Sequence, residues 1–217
     1  MNESVKRFMH TGRQALFVTL VLMLICGLGF PCLLTGLSAL IFPKQAAGNL
    51  LTVDGKTVGA KYVGQEFTED YYLWSRPSAY HYNVYTEGED GKQYYNDGTE
   101  FGGLASGSSN YAASNPDLAA RVEADIEKFL EKNPNVKRED IPTDLLTASG
   151  SGLDPHISPA SAEVQIPRIV EASGLTEDQV REIINNHTSG KVLGIFGEDT
   201  VNVLEVNIEI AQAMGIM

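Results

Sequence analysis

The sequence ALFVTLVLMLICGLGFPCLLTGLSALIF occupies residues 15–42, and its unbroken apolar character decides the fold. No charged residue lies between Arg13 and Lys44. At about 1.5 Å of rise per residue, a helix of this stretch extends about 40 Å, whereas the hydrocarbon core of a bilayer is about 30 Å thick. The stretch therefore predicts a single transmembrane helix over residues 15–42.

A cleaved signal peptide is the alternative, because it also begins with basic residues and continues with an apolar run. The run here is about twice as long as the apolar part of a signal peptide. It continues into Phe42-Pro43-Lys44-Gln45-Ala46-Ala47, which contains no Ala-x-Ala cleavage site, although Ala46-Ala47 leaves cleavage open. The length favours an uncleaved membrane anchor.

The charges that flank the apolar stretch predict its orientation. Three basic residues lie within the first 13 positions, whereas only Lys44 follows the stretch closely. Basic residues are retained on the cytoplasmic side of a membrane. We therefore expect residues 1–14 to be a cytoplasmic tail and residues 43–217 to form one extracytoplasmic soluble domain.

The region after the anchor is strongly acidic. From Lys44 onward it contains 13 Lys and Arg against 27 Asp and Glu, a net charge of −14. Such a surface repels nucleic-acid phosphates and attracts small cations, so nucleic acid is excluded as a partner. Solubility alone is the other explanation of the same acidity.

Small residues interrupt the apolar stretch. Gly27, Gly29 and Gly36 would let another helix approach closely, and Pro31 should kink or loosen the helix. An isolated anchor surrounded by lipid has little need of these glycines. They indicate a helical partner in the membrane, although Gly and Pro are also frequent in membrane helices generally.

Local signals after the anchor predict a mixed α+β domain with a β-hairpin and several helices. Asp54-Gly55 lies between two β-favouring runs and predicts a two-residue hairpin turn. Residues 80–115 are rich in Tyr, Gly, Ser, Asn and Asp and predict a long surface loop with a turn at Asp90-Gly91. Start and stop signals predict helices at 116–132, 158–166, 176–187 and 201–214, with a break at Pro167 and a short buried strand at 192–196.

The densest unusual segment runs from Asp144 to Pro159, where Ser and Gly alternate before Asp-Pro-His. Its small residues predict either a nest of amides that binds an anion or a tight loop in which glycines supply positive φ. His156 and Asp154 lack a second pair of ligands at metal-binding spacing. No Gly-x-Ser-x-Gly or Walker sequence occurs. The sequence therefore predicts neither catalytic residues nor a metal site.

These segments carry a resemblance to a known family. The chain resembles the C subunit of the bacterial Kdp potassium-transporting ATPase, a multi-subunit P-type pump, over nearly its whole length. The resemblance rests on residues 36–42, 63–67, 74–79, 145–160, 165–168 and 201–207. Together with the anchor glycines it indicates the following partner-interface or family-motif residues: Gly27, Gly29, Gly36, Arg76, Pro77, Ser78, Ser149, Gly150, Ser151, Gly152, Asp154, His156, Gln165, Arg168, Asn202 and Asn207.

The chain departs from the family pattern in a few places. It is longer between Ser78 and Ser108, and it reads Gly107-Ser108-Ser109-Asn110-Tyr111 where the family has Gly-Gly-Ser-Asn-Leu. A basic residue expected near Ser173 is lacking, and Glu198-Asp199-Thr200 replaces a turn richer in Pro and Arg. The role of the longer loop is open.

The resemblance implies a non-catalytic accessory subunit of a bacterial inner-membrane pump. Its implied partners are the lipid bilayer, a channel-like subunit that selects potassium and a subunit that hydrolyses ATP. These subunits handle potassium and ATP, so we expect no cofactor bound directly to this chain. The family is described as a catalytic chaperone that raises the ATP affinity of the hydrolysing subunit, with Gln165 and the Ser–Gly run as candidate contacts.

That description conflicts with the orientation predicted from charge, because the outer domain would meet essentially no ATP. We expect instead that the anchor holds the complex together and that the acidic domain covers the outer mouth of the potassium-selecting subunit. Two alternatives stay open. One is a direct nucleotide-binding regulator with a cytoplasmic domain, and the other is a free-standing membrane-anchored binding protein.

Overall fold

The computed structural model of the chain describes residues 2–217, with the side chain of Val5 left aside. The chain divides into two compact units, of which one ends at Leu50 and the other comprises Leu51–Met217. We describe each unit separately.

The first unit is dominated by one long helical rod. α1 (Glu3–Leu24) continues through a π-helical turn (Ile25–Gly29) into α2 (Phe30–Ile41), and the short α3 (Pro43–Ala46) follows. The segment Lys6–Ile41 is long and apolar enough to cross a membrane. This confirms the predicted apolar helix, whose first turns reach well before residue 15. The start predicted for the span at residue 15 coincides with no helix end, whereas its predicted end at Phe42 lies one residue past α2, and the limits in the membrane stay predictions.

Pro31 accounts for the π-helical turn. Proline has no N–H to donate, and its ring crowds the carbonyl four residues earlier, which is that of Gly27. A widened turn before the proline relieves this crowding. The N–H of Phe30 accordingly bonds to the carbonyl of Ile25, one residue further back than in an α-helix.

A hairpin begins the fold after the anchor. β1 (Leu50–Val53) pairs with β2 (Lys56–Ala60). Asp54 and Gly55 both have positive φ, at 49° and 78°, which is the geometry that the sequence Asp-Gly favours in a two-residue turn. The predicted hairpin is confirmed.

The long segment that follows is mostly irregular but contains a second small hairpin. After a 3₁₀ turn (His81–Asn83), β3 (Thr86–Glu87) pairs antiparallel with β4 (Gln93–Tyr94), and Asp90-Gly91 lies in the connecting turn. The predicted turn is therefore present, within a short hairpin that the loop prediction missed.

α4 (Pro116–Lys132) has the predicted limits. The side chain of Asn115 accepts a bond of 2.8 Å from the N–H of Asp117, and the helix ends before Asn133. Two 3₁₀ turns follow, Arg138–Asp140 and Thr143–Leu145. Ile126 and Phe129 of α4 pack against Ile141 and Leu145 of this segment in a small core.

The larger core lies in the C-terminal part of the chain. Its elements are β5 (His156–Ile157), α5 (Pro159–Glu163), α6 (Ile166–Ser173), α7 (Glu177–Asn186), β6 (Thr188–Ser189), β7 (Thr200–Asn202) and α8 (Val203–Ala213). The three strands form an antiparallel sheet in the order β5-β7-β6. α7 begins with the predicted capping box at Thr176 and Gln179. The mixed α+β class is confirmed.

Three predictions here need correction. Residues 192–196 form an exposed turn rather than a buried strand, because the five residues fold back on themselves and pair only through Val192 and Phe196. The helix predicted over 158–166 ends earlier, at Glu163, and the next helix begins at Ile166 with Pro167 in its first turn, since proline fits the first turn of a helix better than its interior. The last helix begins at Val203, after a short strand.

Candidate functional site

Several of the predicted residues of the soluble region contact one extended segment, residues 73–78, which we call the strap. The strap is no strand of any sheet, so its backbone groups need partners elsewhere. Asn207 on α8 supplies them for Leu73, accepting from its N–H at 2.7 Å and donating to its carbonyl at 2.9 Å. Both residues are buried.

Gln165 binds both backbone polar groups of the next strap residue, Trp74. Its Oε1 accepts from the N–H of Trp74 at 2.9 Å, and its Nε2 donates to the Trp74 carbonyl at 3.3 Å. Nε2 also donates to the carbonyl of Ser161 at 3.0 Å, and Oε1 accepts from Arg168 at 2.7 Å. These contacts use both amide hydrogens and both acceptor positions of a side chain that has no exposed surface. Gln165 is saturated within the fold.

Arg168 is a buried cation that extends the same network. Its guanidinium donates to the Asn133 side chain at 3.2 Å and to the backbone carbonyls of Asp70 and Tyr72, and it lies 4.2 Å from the centre of the Trp74 ring. Burial lowers the pKa of Arg168 to about 10, and the nearby carboxylate of Asp70 opposes that shift. The arginine thus ties α6 to both the strap and the end of α4.

The second half of the strap binds backbone and side-chain groups of the Asp144–Pro159 segment and also the side chain of Tyr82. Arg76 forms an ion pair of 3.0 Å with Asp154 and also donates to the carbonyl of Thr147. The phenol of Tyr82 donates to the carbonyl of Arg76 at 2.9 Å. Burial, reinforced by the charge of Asp154, raises the pKa of Tyr82 well above its usual value. Tyr82 therefore acts as a neutral donor here.

The Ser–Gly run of residues 149–152 is a tight loop tied to the long loop before α4. Ser78 donates to the carbonyl of Gly152 at 2.7 Å, and the N–H of Gly107 donates to the carbonyl of Ser151 at 2.8 Å. Gly152 has φ of +69°, and a Cβ there would lie 2.4 Å from the carbonyl oxygen of Gly107. Of the two alternatives for this run, the geometry favours the tight loop, although Gly150 does not have positive φ.

Three amides at or just after this run, those of Ser151, Gly152 and Leu153, are already engaged. The N–H of Ser151 bonds to the hydroxyl of Ser149, and that of Leu153 bonds to the hydroxyl of Ser151, both at 3.3 Å. The N–H of Gly152 bonds to the carbonyl of Ser149. An anion would have to displace these bonds, which the nest interpretation does not anticipate.

Asp144 anchors the other end of the segment, and sequence reasoning missed it. Its carboxylate accepts from the N–H and hydroxyl of Ser158, at 2.8 and 3.0 Å, and from the hydroxyl of Ser161 at 2.6 Å. Burial by itself would raise the pKa of Asp144, but these hydrogen bonds outweigh it and lower the pKa. No local pattern marks Asp144, because its partners lie 14 and 17 residues away.

His156 and Asn202 lie side by side as partners in the β5–β7 pairing. Asn202 caps α8 by accepting from the N–H of Glu205 at 3.0 Å, and it donates to the carbonyl of Lys61 at 2.7 Å. The His156 ring lies 3.9 Å from Asp154. Within residues 2–217, no group of three or more His, Cys, Asp or Glu is arranged to hold a metal ion.

A cleft of about 780 Å³ opens between the strap, α4 and residues 108–111. Pro77 lies in its wall. Its lining carries four Lys or Arg side chains against four carboxylates, and three of the basic ones are paired, Arg76 with Asp154, Arg121 with Asp125, and Lys132 with Asp70. Burial raises the pKa of Asp125, against the opposing charge of Arg121. The cleft is therefore not a strongly basic receptor of the kind that phosphate groups require.

The anchor residues belong to the first unit. A Cβ placed on Gly27 or Gly36 would meet nothing within 4 Å in this chain, and one on Gly29 would lie 3.6 Å from the carbonyl oxygen of Leu24. The chain thus leaves open the space beside Gly27 and Gly36.

Comparison with known proteins identifies the family to which the chain is similar. Residues 12–212 match the family model described as "KdpC: K+-transporting ATPase, c chain". The chain is 53% identical over 204 residues to the potassium-transporting ATPase KdpC subunit of Clostridium kluyveri, covering 94% of each chain. It is 51% identical over 209 residues to the KdpC subunit of Clostridioides difficile, covering 96% of this chain and all of that one.

The fold and these matches define a subunit of a potassium-transporting ATPase with one candidate membrane-spanning helix. Within that class, the chain belongs to the KdpC family. The resemblance drawn from the sequence motifs is confirmed.

Proposed function

We propose that this chain is a non-catalytic accessory subunit that stabilises a high-affinity potassium uptake pump of the bacterial inner membrane. Its anchor packs against helices of partner subunits. Its acidic domain lies outside the cell, with the N-terminus in the cytoplasm, and covers the outer mouth of the potassium-selecting subunit. The ATP-hydrolysing subunit is the other partner in the complex.

The observation that carries this proposal is the saturation of Gln165. A residue that recognises nucleotide must have a donor or acceptor free to meet it, whereas both amide groups of Gln165 bind the strap, Ser161 and Arg168. The family-motif residues of the soluble region instead hold irregular backbone in one conformation. That is the chemistry of a rigid binding module, and it favours an accessory role over direct nucleotide contact.

An effect on the ATP affinity of the pump is then indirect. A subunit that binds one conformation of its partner more tightly shifts that partner's equilibrium, and the coupling is felt at a distant site. Concentration of potassium by the net charge of −14 contributes little, because charges are screened within about 8 Å at physiological salt. The domain would therefore act through its contact surface with the partner subunit rather than through its electrostatic field.

The anchor supplies the test of assembly. Gly27→Leu and Gly36→Leu would fill space that this chain leaves open, where we place a partner helix. We expect both variants to reduce recovery of the other pump subunits through an affinity tag on this chain. Gly12→Leu is the matched control, because a Cβ there also meets nothing within 4 Å but the residue precedes the apolar stretch. Recovery equal to the control would support a free-standing anchored protein instead.

A further inference from the structure

The connection between β6 and β7 ends in an exposed apolar turn, residues 191–197, which we call the knob. Four large apolar side chains cluster in it. Their exposed fractions are 66% for Val192, 84% for Leu193, 76% for Ile195 and 63% for Phe196. A contiguous group of this kind on a soluble domain marks an interaction site more often than scattered single apolar residues do.

The knob is a hydrogen-bonded turn with a defined backbone conformation. Val192 and Phe196 exchange backbone hydrogen bonds of 2.8 and 3.0 Å, and the N–H of Gly194 bonds to the carbonyl of Lys191 at 3.1 Å. Its two ends lead into β6 and β7, which belong to the sheet beside the larger core. A pre-organised surface loses little conformational entropy on binding, so its apolar area is available for affinity.

The backbone conformation of Leu193 also indicates that the knob is an interaction site. Its φ is +55°, a region that bulky residues seldom adopt and that Gly or Asn enters easily. A leucine at this position therefore strains the turn, and with 84% of its surface exposed it gains no burial in return within this chain. Strained, solvent-facing apolar residues are typical of surfaces that are completed by a partner.

Charge identifies the kind of partner. Glu198 and Asp199 follow the knob directly, Lys191 is its one basic residue, and the tip contains no Trp, Tyr or Arg of the sort that anchors a loop in a lipid interface. The region after the anchor carries a net charge of −14, which disfavours both an anionic bilayer and a second copy of this chain. An apolar socket rimmed by Lys or Arg is the complementary surface.

We infer that the knob docks into such a socket on the outer face of the potassium-selecting subunit. The inference rests on the proposed function, which places this domain outside the cell beside that subunit. Leu193 and Ile195 would fill the socket, and Glu198 and Asp199 would meet its basic rim.

Site-specific crosslinking tests the inference in the assembled pump. A benzoyl-phenylalanine residue replaces Leu193 in the full-length chain, co-expressed with the other subunits, and is activated by light in intact cells. We expect a covalent product with the potassium-selecting subunit. The same probe at Leu104, which is 85% exposed but lies in the long loop, is the control and should give at least a several-fold weaker product. Reaction of the Leu193 probe with lipid, with a second copy, with another subunit or with no subunit would overturn the inference.

A substitution that should not harm folding provides the second measurement. Leu193→Asn removes the apolar side chain while suiting the left-handed backbone, so the turn should be at least as stable as in the wild type. We expect it to lower recovery of the partner subunits about tenfold at limiting expression, as loss of a central interface residue does. Leu104→Asn should have no such effect. Equal recovery of both variants would count against the knob.

Failure of this inference is distinguishable from failure of the proposed function. If the domain is accessible from outside but the Leu193 probe captures no subunit, the function stands and the knob does not dock. If labelling places the domain in the cytoplasm, the outer cap fails and the inferred outer socket falls with it.

Discussion

Asn207 near the end of the chain binds both backbone polar groups of Leu73, which lies 134 residues earlier. Gln165 repeats the arrangement on Trp74, the only tryptophan of the chain. Two amide side chains thus do for the strap what a neighbouring strand does for a β-strand. Because the strap carries Arg76 and Ser78, which bind Asp154 and the carbonyl of Gly152, this pairing positions the contacts between the strap and the Asp144–Pro159 segment.

Replacement of Asn207 should destabilise the domain severely. Asn207→Leu conserves size but leaves the buried N–H and carbonyl of Leu73 without partners, at about 1–3 kcal/mol for each group. We expect a loss of about 2–4 kcal/mol in urea unfolding of the purified full-length chain, followed by Trp74 fluorescence. Asn185→Ala on the exposed face of α7 is the control and should stay within about 0.5 kcal/mol of the wild type. Equal stability of the two variants would contradict the clamp.

A matched pair of variants separates a structural from a nucleotide-binding role of Gln165. Gln165→Leu and Asn207→Leu each release one residue of the same strap, but only Gln165 has been linked to nucleotide contact. We expect both to change the apparent ATP affinity of the assembled pump in the same direction and by similar factors, because both act through the strap. A change confined to Gln165→Leu, in complexes of normal subunit content, would point to direct contact instead.

Two glycines of the Ser–Gly run should respond differently to the same change. Gly152→Ala places a Cβ 2.4 Å from the Gly107 carbonyl oxygen and holds a non-glycine residue at φ of +69°, so it should destabilise by about 1–3 kcal/mol or more. Gly150→Ala meets nothing within 4 Å and lacks positive φ, so it should be neutral or slightly stabilising. Thermal unfolding of the two purified variants makes the comparison. Indistinguishable midpoints would show that the loop is not packed as described.

The hydrogen bonds of Asp144 predict a specific sensitivity to acid. They lower its pKa below the unfolded value of 3.8, so the folded state holds the carboxyl proton less tightly than the unfolded state does. The stabilisation is therefore complete above about pH 4 and is lost as the pH falls through the lower, folded-state pKa. Asp144→Asn should be less stable than the wild type at pH 7, and the difference should shrink below pH 3.8. Parallel stability curves for the two proteins would rule this out.

Much of the fold could be predicted from local sequence signals. The uncharged run before Lys44, the Asp54-Gly55 turn, the Asn115 cap and the Thr176 capping box each act over a few residues, and each is present as predicted. Such signals depend only on backbone geometry and nearest neighbours, so a single sequence suffices to read them.

The contacts that build the site were beyond local reasoning. The family resemblance singled out Gln165, Arg168 and Asn207, but nothing nearby in sequence indicates that their partners are residues 70–74. Residues 192–196 were mispredicted for the opposite reason. A short apolar run is normally buried, and here the assumption of burial fails because Gly194 and Gly197 turn the chain back into solvent.

The most direct test of the proposed function is a measurement of the side of the membrane on which the acidic domain lies. Cys26 and Cys32 are replaced by Ala, the exposed Leu104 is replaced by Cys, and intact cells are treated with a membrane-impermeant maleimide. We predict labelling before lysis, which would place the domain outside, away from ATP. Labelling only after lysis would contradict this prediction and would make direct nucleotide regulation the mechanism to pursue.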